Sequence, residues 1–188
     1  MWRNTPDSYG RVSITLHWLI AGVVLGLFAL GLWMVGLNYY HAWYHRAPQL
    51  HKGVGVLLLG GMLLRLAWRY GNPQPRLPGT PLQQRLAAVM HRVLYGVLFA
   101  VMISGYLVST ADGRPVDVFG LVHLPATLSG IERQEDIAGV FHKALAIFMI
   151  GLTALHALAA LKHHLVDHDR TLLRMLSSKP AENIHQKS

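Results

Sequence analysis

The chain has 188 residues, of which 52% are hydrophobic and 14% are charged, whereas about 25% of residues are charged in an average soluble domain. The net charge is +8, and the chain holds 12 histidines but no cysteine. This balance indicates a membrane protein. The lack of cysteine excludes disulfides, thiolate-bound iron–sulfur clusters, zinc ribbons and thioether-attached haem, so histidine is the strongest metal ligand that the chain offers.

The first of four apolar runs covers residues 14–37 and predicts a membrane-spanning helix, because about 20 apolar residues cross a bilayer core. It carries His17 near its start. A secretory signal is the alternative, but the run continues through Trp33, Met34 and Val35 without a small-residue cleavage site. We therefore expect this helix to be retained in the mature protein. A short connection, 38–50, follows it and carries four aromatic rings suited to a membrane interface.

The second and third runs, 51–68 and 90–108, predict two further spanning helices. His51 opens the second run and Arg65 lies near its end, while His91 lies near the start of the third. Four prolines between residues 71 and 81 predict a break between them.

The fourth run, 137–165, follows the longest connection, 109–136, which we expect to be a loop with turns. It carries four histidines inside an apolar helix, which is costly in lipid and so favours a functional site: His142, His156, His163 and His164. Residues 177–188 are polar and predict a disordered tail.

The spacing of the histidines predicts two sites at different depths. His142 and His156 are 14 positions apart, which is close to four helical turns, so both rings lie on one face, roughly 21 Å apart. In an up-down bundle His17 lies at the depth of His156, and His51 at the depth of His142. Paired imidazoles across a bundle core suit the two faces of one haem iron. We therefore predict an all-α integral membrane protein, a four-transmembrane-helix up-down bundle enclosing two b-type haems.

Other residues near these sites leave alternatives open. His91 is a hydrogen-bonding or quinone-site candidate, or a purely structural residue, because no free partner is expected at its depth. His163 lies on the face of His156 and could line the haem edge or a quinone pocket. Arg65 and Arg69 could pair with haem propionates, or they could be topology charges at the membrane surface.

The basic residues predict the orientation. Twelve of the 17 lysines and arginines lie on the side of the two termini, and the other five share their side with five acidic residues. The positive-inside rule then places both termini in the cytoplasm. Because the charges lie between apolar runs, we expect membrane lipids and no nucleic acid as partners.

Four segments resemble the prokaryotic cytochrome b561 family over nearly the whole chain: SITLHWL, APQLHKGVGVLLLGGMLLRLAWR, FHKALA and LHALAALKHHLVDHDRTLLRM. The resemblance implies a di-haem cytochrome domain over residues 1–176, in the bacterial inner membrane, that exchanges electrons with the quinone pool. It also implies that the haem ligands are His17, His51, His142 and His156. The STADGRPVDVFGL loop is more similar to one branch of the family than to its founding member, so the activity could differ.

A relative in that family is a superoxide oxidase, and the resemblance implies a superoxide:ubiquinone oxidoreductase. Superoxide would meet the His51/His142 haem, near the basic residues Arg46, Lys52, Arg114 and Lys143. Electrons would pass to the His17/His156 haem and then to ubiquinone, with His163, His91 and Arg65 as candidate contacts. Positive charge around a cleft raises the encounter rate of an anion, but five acids balance five bases on that side.

Two rival functions remain. The chain could be a haem-containing membrane anchor and electron relay for a periplasmic redox partner that docks on the 109–136 connection, with ubiquinone as acceptor or donor. It could also handle quinones or isoprenoids, with haem in a regulatory role. Turnover without a partner distinguishes an enzyme from a relay.

Overall fold

The computed structural model describes residues 1–178. Four long helices dominate it, and a short hairpin and a short helix complete it: α1 (Arg11–Met34), α2 (Arg46–Tyr70), α3 (Pro81–Ser109), β1 (Val116–Val118), β2 (Val122–Leu124), α4 (Gln134–Leu165) and α5 (Leu173–Leu176). Most of the predicted polar tail, from residue 179 onward, lies outside the described residues.

The four long helices are long and apolar enough to cross a membrane. Their bounds differ from the apolar runs, because hydropathy marks the part in lipid whereas local hydrogen bonds decide where a helix begins. The third helix begins nine residues before its run, at Pro81, after a capping box in which Thr80 and Gln83 satisfy each other's backbone N–H groups. α4 has 32 residues, about 48 Å, so it extends beyond the roughly 30 Å hydrocarbon layer.

Large apolar side chains cover the outside of the bundle. Leu19, Leu57, Phe141 and Leu158 are each more than half exposed, an arrangement that water would penalise and lipid does not. The chain is therefore a multi-pass membrane protein, as its composition predicts.

An apolar layer fills the middle of the bundle. It is built from buried side chains of all four helices: Ile20, Leu58, Met62, Leu98, Met102 and Met149. Met149 lies seven residues from both His142 and His156, so this layer separates two levels of histidines.

The helices form two pairs. α1 packs closely along α2, and α3 packs closely along α4, while the two pairs approach each other less extensively. The seam between the pairs is therefore packed less closely than the interface within either pair.

Hydrogen bonds tie three connecting segments together at one end of the bundle. The backbone N–H of Arg76 donates to the carbonyl of Pro6 at 2.8 Å, and the Trp18 indole N–H donates to the carbonyl of Met175 at 2.7 Å. The N-terminal segment, the α2–α3 connection and the segment around α5 thus share one end, which we name the inner end; the opposite end, with the hairpin, is the outer end.

The sequence predicted that the outer connection is a loop, but the structure also places a short hairpin in it. β1 and β2 pair antiparallel, with Val116 opposite Leu124 and Val118 opposite Val122. Val116 and Val118 are buried, so the strands are stabilised by packing beneath them, a tertiary effect that turn residues alone do not reveal.

Candidate functional site

The outer pair of histidines meets across the seam between the helix pairs. His51 lies in the second turn of α2 and His142 in the third turn of α4, with ring centroids 6.1 Å apart and ring planes at 80°. The proximity expected from the helix depths is therefore present.

His142 is fixed by the neighbouring helix α3. Its Nδ1 lies 2.9 Å from the backbone carbonyl of Val101 and 3.2 Å from the Ser104 hydroxyl, and that hydroxyl donates to the same carbonyl at 2.9 Å. A carbonyl oxygen can only accept, so His142 carries its proton on Nδ1. Its Nε2 therefore keeps the lone pair that a metal requires.

Glycines on adjacent helices make room for both outer rings. A Cβ on Gly105 would lie 2.9 Å from Cε1 of His142, and one on Gly31 would lie 3.3 Å from Cε1 of His51. The rings thus occupy space that any other residue would restrict. The Nδ1 of His51 is buried and has no hydrogen-bond partner among the described residues, which differs sharply from His142.

The hairpin closes over this outer pair. Phe119, at its turn, has a left-handed backbone with φ of 57°, and its ring lies where a Cβ on Gly53 would be, 2.8 Å from it. Since Gly53 follows His51 by two residues, the hairpin turn packs beside the outer site. Sequence reasoning missed this contact. The available signal was the Phe119-Gly120 dipeptide, which indicates a turn directly after β1.

The inner histidines form a cluster of three. The centroids of His17 and His156 are 6.4 Å apart, with planes at 68°. The His91 ring is nearer to His156, at 5.4 Å. His91 therefore does have a neighbour at its depth, although His156 is also the expected partner of His17.

Two arginines adjoin the inner cluster. Arg65 Nη2 lies 3.2 Å from Nδ1 of His17, and the Arg65 and Arg69 guanidinium groups lie 5.6 and 6.0 Å from the centroid of the Tyr95 ring. Because arginine only donates, His17 accepts at Nδ1 and its own proton is on Nε2. This tautomer is the opposite of that of His142.

The two pairs can be tested against an iron bound between them. An imidazole nitrogen lies about 2 Å from a first-row metal, as in zinc sites, and the ring centre about 1 Å beyond, so two rings on one iron have centroids about 6 Å apart. The centroid separations of the two pairs, 6.1 and 6.4 Å, both fit this value. The outer pair also offers the tautomer that a metal needs on His142, whereas coordination by His17 Nε2 requires Arg65 to leave Nδ1.

A carboxylate cluster lies at the inner end of α4. His163 Nδ1 lies 2.7 Å from an Asp169 oxygen and 3.1 Å from an Asp167 oxygen, and Lys162 binds both oxygens of Asp167 at 2.7 Å. Burial raises the pKa of Asp169, but hydrogen bonds from Thr171 and His163 outweigh it and hold the net pKa below the ordinary 3.8. The sequence singled out His163 but not these two aspartates.

The four basic residues expected near the outer haem, Arg46, Lys52, Arg114 and Lys143, differ in their pairing. All are exposed, but Arg114 pairs with Asp112 at 3.5 Å. Lys52 and Lys143, each next to an outer histidine, have no carboxylate within 4.0 Å in the described part of the chain. These two lysines are the free positive charges nearest the outer site in sequence.

Known proteins resemble this chain over nearly its full length. Residues 8–178 match the family model of prokaryotic cytochrome b561. The chain is 50% identical over 181 residues to cytochrome b561 homolog 2 of Escherichia coli strain K12, covering 95% of this chain and 96% of that one. It is 29% identical over 174 residues to the probable superoxide oxidase CybB of Yersinia pestis, covering 91% and 97%. It is also 29% identical over 181 residues to cytochrome b562 of Cereibacter sphaeroides, covering 89% and 94%.

Proposed function

Because the chain belongs to the prokaryotic cytochrome b561 family, we propose that it carries electrons from the periplasmic side of the bacterial inner membrane to ubiquinone through two b-type haems. The family implies b-type haem and membrane electron transfer. The observation that carries the finer proposal is the pair of histidine contacts at 6.1 and 6.4 Å, one at each level of the bundle.

The ligands in this proposal are His51 and His142 for the outer haem and His17 and His156 for the inner haem. When bound, haem would supply reversible one-electron chemistry. Because two histidines would hold each haem, oxygen and carbon monoxide should bind poorly, so electron transfer without bonding to iron is favoured. Arg65 contacts Nδ1 of His17 in the structure. Once His17 holds haem, Arg65 would leave this nitrogen, and Arg65 and Arg69 could pair with the haem propionates.

The orientation in this proposal has both termini in the cytoplasm, so that the inner end faces the cytoplasm. It is supported by the excess of basic residues on that side. Residues 1–176 form the di-haem domain.

The donor we favour is superoxide. It is supported by the likeness to a relative named a probable superoxide oxidase and by Lys52 and Lys143, which are next to the outer histidines in sequence and have no carboxylate within 4.0 Å among residues 1–178. Cationic groups near a low-dielectric site attract an anion from solution. Two superoxide anions each give up one electron and leave as oxygen.

The acceptor, ubiquinone, gains two electrons and two protons to become ubiquinol. His163 lies near the cytoplasmic end of α4, seven residues after His156, and its ring is held through Nδ1 by Asp169 at 2.7 Å. This leaves Nε2 available to take up a proton from the cytoplasm, after which the Nε2–H group can donate a hydrogen bond to a quinone oxygen and pass the proton to it. His91 is a further candidate contact.

The test is the absorbance of the oxidised, purified full chain after a pulse of superoxide. We expect the spectrum of reduced b-haem to appear at once, and to be reversed by added ubiquinone; superoxide dismutase added first should abolish the change. Haems that stay oxidised would reject superoxide as the donor.

The role of the free lysines has a matched control. Lys143→Gln should lower the second-order rate with superoxide about twofold to tenfold at low salt. Arg114→Gln should have a smaller effect, because Arg114 is already paired with Asp112. Equal effects would reject the assignment to Lys143.

An electron relay for a periplasmic protein is the second candidate. It is favoured by the hairpin turn, where Phe119, Leu121 and Val122 are 49%, 84% and 58% exposed, an apolar patch suited to a protein partner. A chain that accepts no electrons from superoxide, but does so from a soluble periplasmic donor, would support it.

A further inference from the structure

The two outer histidines are supported unequally. His142 is held at Nδ1 by the Val101 carbonyl and the Ser104 hydroxyl, two groups that lie within one turn of α3 and contact each other. His51 has a buried Nδ1 without a partner in the described residues. The ring that is already oriented loses less freedom when it binds a metal.

Resting on the proposed haem at this site, we infer that Ser104 is a positioning residue that makes His142 the dominant ligand of the outer haem and leaves His51 as the replaceable one. Hydrogen bonds at the second nitrogen fix the tautomer, orient the ring and increase its basicity, and their loss costs about 10–100-fold in metal affinity. His51 receives no such support.

Ser104 is well placed for this role. Its side chain is nearly inaccessible, since the residue is 7% exposed, so its hydroxyl cannot exchange its partners for water. It donates to Val101 and lies within hydrogen-bond distance of His142, which closes a triangle of polar groups. The neighbouring Gly105 leaves space for the His142 ring in this orientation.

The experiment compares His51→Ala with His142→Ala in the detergent-solubilised full chain. Haem per chain is measured by the pyridine haemochrome method, and an open axial position by the carbon monoxide difference spectrum. We expect His51→Ala to keep two haems, one of which binds carbon monoxide, and His142→Ala to keep only one.

Ser104 is then tested on the His51→Ala background, where His142 is the remaining outer ligand. Ser104→Ala should lower the affinity for the outer haem about 10–100-fold. Ser109→Ala is the matched control, because the Ser109 hydroxyl also donates to a carbonyl of α3, that of Gly105 at 2.8 Å, without contacting a histidine. It should behave like His51→Ala alone.

Equal loss of the outer haem in the two histidine variants, or equal effects of Ser104→Ala and Ser109→Ala, would overturn the inference while leaving the proposed function intact. Two fully retained haems without carbon monoxide binding in both histidine variants would instead overturn the placement of the outer haem, and the inference with it.

A second measurement avoids the histidine variants, in case these do not fold. With both histidines present, haem transfer to excess apomyoglobin should be faster for one of the two haems in Ser104→Ala and unchanged in Ser109→Ala. Equal rates of haem transfer in Ser104→Ala and Ser109→Ala would overturn the inference.

Discussion

The outer and inner histidine pairs have nearly the same separation but different surroundings. The outer pair lies between glycines, and one of its rings is fixed by a backbone carbonyl. The inner pair shares its space with His91 and Arg65. The comparison teaches that ring separation is set by helix packing, whereas the tautomer of each ring is set by whichever donor or acceptor the next helix presents.

The largest expected effect is the loss of an inner ligand. His156→Ala should reduce haem from two per chain to one and leave the outer haem spectrum unchanged, because the apolar layer separates the two levels. The pyridine haemochrome assay measures this. His164→Ala, on the same helix, is the control, and an unchanged haem content in His156→Ala would refute the inner assignment.

The glycine space of the outer pair can be removed selectively. Gly105→Ala places a Cβ 2.9 Å from the His142 ring, and overpacking of this kind costs about 1–3 kcal/mol. Weaker retention of the outer haem alone is expected in haem-transfer measurements. Gly96→Ala is the control on the same helix, because a Cβ there meets nothing within 4 Å; equal behaviour of the two variants would contradict the prediction.

The crowded inner site raises the question of which ring pairs with His156. His91 is nearer to it than His17 is, but the sequence pairing assigns His17. We expect His91→Ala to keep two haems, with at most a changed low-spin electron paramagnetic resonance signal from the inner one. A halved haem content would show that His91 is the ligand.

The smallest expected effect concerns the carboxylate cluster at the inner end. The lowered pKa of Asp169 means that its stabilisation is complete above the ordinary value of 3.8 and is lost as the pH falls through the lowered pKa. Asp169→Asn should therefore lower stability at pH 7 by less than about 1 kcal/mol, and this difference should vanish in strong acid. Thermal unfolding followed across this pH range measures it, with the exposed Asp7→Asn as control.

The sequence predicts the depth of the histidines well, because 14 residues are close to a whole number of helical turns and antiparallel helices put their opposite ends together. It does not predict lateral contacts. Whether Arg65 or a carbonyl meets a ring depends on how each helix is rotated in the bundle, which no single periodicity records. The hairpin was missed for a related reason, since its three-residue strands depend on Phe119 packing against Gly53. The roles of the four histidines as ligands stay predictions.

The apolar layer between the histidine levels has an electrical consequence. Between the levels, the charged side chains of α1–α4 are Lys52, Arg92 and Lys143, each directly next to a histidine, and none lies in the apolar layer itself, so a large part of the transmembrane voltage must fall across this layer. In the proposed orientation each electron moves inward against a negative interior, at a cost of up to about 2.3 kcal/mol per 100 mV. Turnover in energised vesicles should therefore slow as the membrane potential rises, and the protein would add to that potential whenever it reduces quinone.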